Sequence, residues 1–262
     1  MDNRAIGIFD SGVGGLSVYL EARKLLPKES FIFCADQAFV PYGEKTKDEL
    51  IDRVSKIIAF LEGKNVKAVI AACNTASVYV IDDIRKKFSL PIIATVPAVK
   101  TLSAISKTRK AAVFSTPATA KSPYLTELIA TFAPDMEIFK VGGSKLEELV
   151  EKGELDSPSV DAILKDTLVP LVAKGIDAIA LACTHYPFLR QQIQKIVGEQ
   201  VKIVDSGNAV ARRLQTVLDQ ENLLADEKKA DQYYTTGEPI LFKKVAEKLT
   251  GLTMSTVSQI NL

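Results

Sequence analysis

The chain has 262 residues, 47% hydrophobic and 25% charged, enough for one large domain or two ordinary ones with sizeable cores. Its formal net charge of +1, with both signs interspersed, argues against nucleic acid or an anionic membrane as main partner, since either selects a basic patch. With no bilayer-length apolar run, no signal-like start and only three cysteines, the expectation is a cytoplasmic protein with reduced thiols.

From the N-terminus, residues 5–9 are an apolar run that reads as a buried strand, followed by a glycine-rich loop over residues 10–17. Residues 31–34 read as a second strand, and Pro41-Tyr42-Gly43 reads as a turn. A helix over 48–61 leads to a third strand at 68–72, which stops at Cys73. Residues 77–88 follow as helix and 92–95 as strand. After Pro97 the alternation resumes. Strands are predicted at 111–115, 137–141, Ala178–Ala182 and 202–204, with helices at 118–132, 159–174 and Arg190–Val197. Such alternation is the mark of α/β architecture with parallel sheets.

Two segments are near-copies: Lys64-Asn-Val-Lys-Ala-Val-Ile-Ala-Ala-Cys73-Asn-Thr and Lys174-Gly-Ile-Asp-Ala-Ile-Ala-Leu-Ala-Cys183-Thr-His. Each runs an apolar strand into a thiol, followed by polar residues able to start a helix. Residues 5–11 parallel 111–116, and 31–34 parallel 136–139. The expected fold is therefore two pseudo-twofold-related α/β lobes, each a mainly parallel sheet flanked by helices. Residues 1–97 form the N-terminal lobe, 98–206 the C-terminal lobe, and 207–262 a return segment packing on the first. Ligands of open parallel sheets bind beyond the carboxyl ends of the strands. Asp10, Cys73, Ser115 and Cys183 fall at such ends and are expected to meet in one cleft.

A cysteine at a strand-to-helix junction sits near unpaired backbone N–H groups and the positive end of a helix dipole, which favours the thiolate. Two such groups on opposite sides of one carbon suit racemisation. One thiolate removes a proton from one face, the other thiol returns one to the opposite face, and the roles exchange in reverse. A lone free cysteine is usually a small buried hydrophobe. The matched contexts of Cys73 and Cys183 favour the catalytic reading, whereas Cys34, inside an apolar strand, belongs to the core. His185, the sole histidine, is placed to polarise Cys183 or the substrate. Asp10 is the counterpart beside Cys73, or else a helix cap. The 10–17 loop lacks phosphate-loop spacing, yet its N–H groups can approach a carboxylate. Asn74, Thr75 and Thr184 add donors at helix starts, and Tyr42 with Gly43 is within reach of the cleft. No zinc-ligand spacing and no Cys-x-x-Cys motif is present, so neither a metal nor a redox role is expected.

Four blocks in order, Ile8-Phe9-Asp10-Ser11-Gly12-Val13-Gly14-Gly15-Leu16-Ser17-Val18, Pro41-Tyr42-Gly43, Ala72-Cys73-Asn74-Thr75-Ala76 and Cys183-Thr184-His185-Tyr186-Pro187, resemble glutamate racemase; so does Val204-Asp205-Ser206-Gly207. The resemblance implies a cofactor-independent isomerase that interconverts L- and D-glutamate and supplies D-glutamate for bacterial peptidoglycan. It implies a homodimer of two-lobed subunits with the active site between the lobes. It further implies that Cys73 acts on D-glutamate and Cys183 on L-glutamate, assisted by Asp10 and His185. Substrate contacts would come from Asp10, Ser11, Tyr42, Gly43, Asn74, Thr75, Thr184 and His185. One departure is visible. Many members carry Gly-Asp-x-Ala-Arg shortly before Pro-Tyr-Gly; here Cys34-Ala-Asp36-Gln-Ala-Phe39-Val puts Phe39 where they have arginine, so no surface or interface role of that arginine carries over. Pro41-Tyr-Gly-Glu-Lys45 is closer to the branch activated by UDP-N-acetylmuramoyl-alanine, an expected effector.

Other readings predict different behaviour. An aspartate racemase keeps both cysteines and differs in the side-chain pocket. A decarboxylase of this architecture needs one cysteine. A non-catalytic two-lobed binding protein would hold an anionic solute without turning it over, and a redox protein would join Cys73 to Cys183.

Overall fold

The computed structural model describes residues 1–262, with ten strands: β1 Ile6–Asp10, β2 Phe31–Ala35, β3 Ala68–Ala71, β4 Ile92–Ala94, β5 Lys110–Ser115, β6 Glu137–Gly142, β7 Ala178–Ala182, β8 Lys202–Asp205, β9 Gln232–Thr235 and β10 Val257–Gln259. They build two sheets flanked by helices, ordered β10-β9-β2-β1-β3-β4 and β6-β5-β7-β8. Every pairing is parallel. The chain divides into two compact units, Met1–Thr95 with Gly207–Leu262, and Val96–Ser206.

Replacing β1, β2, β3 and β4 by β5, β6, β7 and β8 converts the inner order of the first sheet into that of the second. The repeat seen in sequence is thus a repeat of topology.

In the first unit β1, β2 and β3 are buried along their whole length, because helices cover both faces. That is why they read as unbroken apolar runs rather than alternating ones. Phe9, Val69 and Ala71 pack with Ile57, Ile58 and Leu61 of the helix Lys47–Gly63. That helix opens with a capping box: Thr46 Oγ1 accepts from the Glu49 N–H at 3.3 Å, and Glu49 Oε2 accepts from the Thr46 N–H at 2.8 Å. On the other face Phe33 stacks on Phe242 of the helix Pro239–Thr250, ring centroids 6.1 Å apart. In the second unit, Val113 and Ala180 pack with Val99, Leu102 and Leu125.

Two departures from the sequence expectation have local causes. The helix expected over 118–132 is two, Pro117–Lys121 and Pro123–Phe132. Pro123 has no N–H to continue the first, and Ser122 Oγ caps the second by accepting from the Leu125 N–H at 3.2 Å. The helix expected over 77–88 starts earlier, directly after Cys73, as Asn74–Tyr79, and is followed by Ile81–Arg85. β9 and β10, unanticipated, extend the first sheet from β2; Gln232-Tyr-Tyr-Thr235 and Val257-Ser-Gln259 mix in polar residues and show no apolar run.

No helix is long and apolar enough to cross a membrane.

Candidate active site

In the first unit, β1 ends at Asp10 and β3 ends two residues before Cys73, on neighbouring strands in parallel register. Their carboxyl ends therefore lie side by side. Asp10 is fully buried, and its Oδ2 accepts from the N–H groups of Gly12 at 3.1 Å and Gly15 at 2.9 Å. The glycine-rich loop does wrap a carboxylate, and it is the chain's own. Gly15 is required for this: a Cβ there would stand 2.5 Å from the Asp10 Cβ.

Cys73, 5% exposed, is the N-cap residue of the helix Asn74–Tyr79, and its thiol donates to Ser11 Oγ at 3.8 Å. Asn74 and Thr75 are buried beside it. The Asn74 Nδ2 donor is buried without a partner in the protein, an arrangement that costs about 1–3 kcal/mol unless an acceptor arrives. Tyr42 is buried and donates to Asp36 Oδ2 at 2.7 Å. Burial, followed by the charges of Asp36, Cys73 and Asp10, holds its hydroxyl well above the ordinary tyrosine range. It is a neutral donor within the field of the thiol. Gly43, by contrast, is exposed.

The residues around Tyr42 were not legible in sequence. Asp36 is fully buried and forks onto Arg53, which donates from Nε at 2.8 Å and from Nη2 at 2.5 Å. Thr236 adds a third donor at 2.9 Å. Arg53 also donates to the Leu262 carbonyl at 2.5 Å. Phe39 turns its ring toward Lys45 and Arg53, which lie 4.9 and 5.1 Å from its centroid, and meets Tyr42 edge-on. Cys34 is buried in β2, and burial pushes its thiol up to about 12, so it is inert.

In the second unit β7 delivers Cys183 at the position where β3 delivers Cys73. Cys183 Sγ is 3.6 Å from His185 Nδ1, and His185 Nε2 is 2.6 Å from Glu151 Oε1. All three are largely buried: Cys183 is 5% and the His185 and Glu151 side chains 4% and 14% exposed. Burial raises the thiol, and the imidazole pulls it part of the way back. Burial also works against the imidazolium, but the hydrogen bonds to Cys183 and Glu151 outweigh it and hold His185 well above its ordinary 6.5. Thr184, which links Cys183 to His185 in the chain, is buried. Tyr186 braces the loop, its Oη 2.9 Å from the Gly143 carbonyl oxygen and 3.1 Å from that of Ser115. Gly143 admits this contact because a Cβ there would stand 2.9 Å from the same Oη. Glu151 went unseen because Leu-Glu-Glu-Leu-Val-Glu reads as an ordinary amphipathic helix with a solvated acidic face.

The arrangement is a thiol with an orienting partner at corresponding strand ends of each unit: Cys73 with Ser11, beside Asp10, and Cys183 with His185–Glu151. No group of three or more His, Cys, Asp or Glu side chains is disposed to hold a metal ion.

Known proteins resemble this chain in sequence and in fold. Residues 16–214 match the model of the Asp/Glu/Hydantoin racemase family. The glutamate racemase of Stutzerimonas stutzeri is 38% identical over 247 residues, 94% of each chain. The crystal structure of glutamate racemase isoform RacE1 from Bacillus anthracis superposes with a TM-score of 0.90 at 30% identity, covering 100% of this chain and 99% of that one. Escherichia coli glutamate racemase, solved with L-glutamate and the activator UDP-MurNAc-ala, gives 0.88 at 31% identity over 98% of each chain. With the family model matched over most of its length and a relative this similar along nearly all of it, the chain belongs to the Asp/Glu/Hydantoin racemase family.

Proposed function

We propose that this racemase interconverts L- and D-glutamate by exchanging protons at Cα between Cys73 and Cys183, with no cofactor. The observation that carries the reading is the repeated junction: corresponding strands, β3 and β7, each run into a cysteine that has an orienting group beside it.

In the direction from D-glutamate, the Cys73 thiolate takes the Cα proton and becomes a thiol. The electron pair released moves toward the α-carboxylate. Cys183 S–H then gives its proton to the opposite face of Cα and becomes the thiolate, the form needed for L-glutamate. Asp10 and His185 orient and polarise the two thiols. The unmatched Asn74 Nδ2 supports carboxylate binding, and Ser11, Tyr42, Gly43, Thr75 and Thr184 complete the substrate contacts. A cytoplasmic homodimer feeding D-glutamate to peptidoglycan synthesis, and activated by UDP-N-acetylmuramoyl-alanine, fits this reading; the Escherichia coli relative's complex with L-glutamate and that activator supports both the substrate and the effector.

The test is circular dichroism of the purified protein with L-glutamate, beside Cys73→Ser and Cys183→Ser. Wild type should erase the optical signal, and each variant should lose at least about 10³-fold in rate in both directions, because every thiol is base one way and acid the other. In D₂O the product should carry deuterium at Cα. A flat wild-type signal with L-glutamate but turnover of L-aspartate would reassign the substrate. Adding the UDP-linked precursor without any change in rate would remove the activation.

A further inference from the structure

We propose that Glu147 is a positioning residue of this racemase, acting through Cys183: from the helix Leu146–Glu151 its carboxylate shares the face that meets the Cys183–His185 pair and helps keep the proton on Cys183 in the free enzyme. The inference rests on the reading of Cys183 as an acid/base group.

Residues four apart on a helix share a face. Glu151 Oε1 lies 2.6 Å from His185 Nε2, so Glu147, one turn earlier, looks onto the same imidazole and thiol. It is half-buried, whereas its neighbour Glu148 is exposed. Its charge is felt by Cys183 and Tyr186, and that of His185 is felt by Glu147. The ionisable groups around the thiol are therefore His185 on its own loop, Glu147 and Glu151 on the helix, with Glu148 farther out, and the neutral Tyr186. His185 as imidazolium draws Cys183 toward thiolate. Glu151 balances the imidazolium charge, and Glu147 adds a negative charge for which no cation remains. Burial, which raises the thiol most, and this extra charge together favour Cys183 as thiol. Around Cys73 the corresponding carboxylate, Asp10, is held by the N–H groups of Gly12 and Gly15, and the thiol's partner Ser11 is neutral. A two-thiol racemase needs one thiol and one thiolate at rest, and Glu147 adds to burial in biasing Cys183 toward the thiol.

The experiment compares pH profiles of kcat/KM, which report the free enzyme, in both directions for wild type, Glu147→Gln and Glu148→Gln. In Glu147→Gln the limbs belonging to Cys183, acid-side for L-glutamate and alkaline-side for D-glutamate, should move to lower pH by about 0.5 or more. The limbs belonging to Cys73 should stay, and Glu148→Gln should match wild type. All four limbs unmoved, or all moving together, would overturn the proposal. If Glu147→Gln is too slow to profile, iodoacetamide alkylation of Cys183 in a Cys34→Ser/Cys73→Ser background reads the thiol directly. Its midpoint should fall when Glu147→Gln is added, and an unchanged midpoint refutes the role. A wild type inert toward both glutamate enantiomers would instead remove the proposed function, leaving alkylation to judge Glu147.

Discussion

Cys183 meets an imidazole and Cys73 a serine hydroxyl, so the two thiols depend on different neighbours. His185 stands between Cys183 and Glu151 with almost no solvent contact, and the carboxylate is what makes an imidazolium tolerable there. Glu151→Gln strips that partner. Leaving a buried charge uncompensated costs about 3 kcal/mol or more. The sign of the pH effect follows from the raised His185. Its contribution to stability is complete below about 6.5 and is lost as pH rises through the folded-state value. Urea midpoints measured from pH 6 to pH 9.5 should therefore fall for wild type and change less for Glu151→Gln, the gap being widest at the acid end. Parallel curves would mean that Glu151 does not support the imidazolium.

At the level of elements, the two ends of the first sheet do different work. The amino ends of β2 and β3 are joined by a fully buried pair, Lys67 Nζ and Glu29 Oε2 at 2.6 Å. Lys67 also donates to the carbonyls of Asp2 and Leu223, and Glu29 accepts from the Ala225 N–H. The staple thus ties the N-terminal residues and the start of the return segment to the sheet, far along the strands from the carboxyl ends that carry Asp10 and Cys73. Lys67→Met should cost about 3–5 kcal/mol in urea unfolding, while kcat of the surviving folded protein stays near wild type. A large loss of kcat in a fully folded sample would show that the two ends are coupled. The Lys64–Ala72 and Lys174–Ala182 runs made β3 and β7 and their thiols legible, because a strand covered on both faces is apolar throughout. Arg53, Glu151 and Lys67 were not legible, since a charged residue at a helical or loop position looks the same whether it meets water or a buried partner.

For the whole molecule, the first unit is completed only by the last 56 residues, Gly207–Leu262. They supply β9 against β2, the helix Gly207–Gln220 against Leu16–Leu25, and Phe242 against Phe33. A chain ended at Ser206 would expose Tyr19, Phe31 and Phe33, each worth roughly 2–3 kcal/mol of burial, along with an open strand edge. It should aggregate or lose its near-UV circular dichroism; a folded monomer by size exclusion would show that the tail is dispensable.

By itself the sequence determined the α/β class, eight of the ten strands, the internal repeat and the strand-end positions of Asp10, Cys73 and Cys183, because all of these follow from local apolar runs and from where they stop. Only the tertiary structure decided that Asp10 is the anion its own glycine loop holds, that Arg53 secures Asp36 beside Tyr42, that Glu151 backs His185, and that β9 and β10 complete the first sheet. All but the first join residues well separated in the chain. Burial and charge compensation, which a local pattern does not encode, select them.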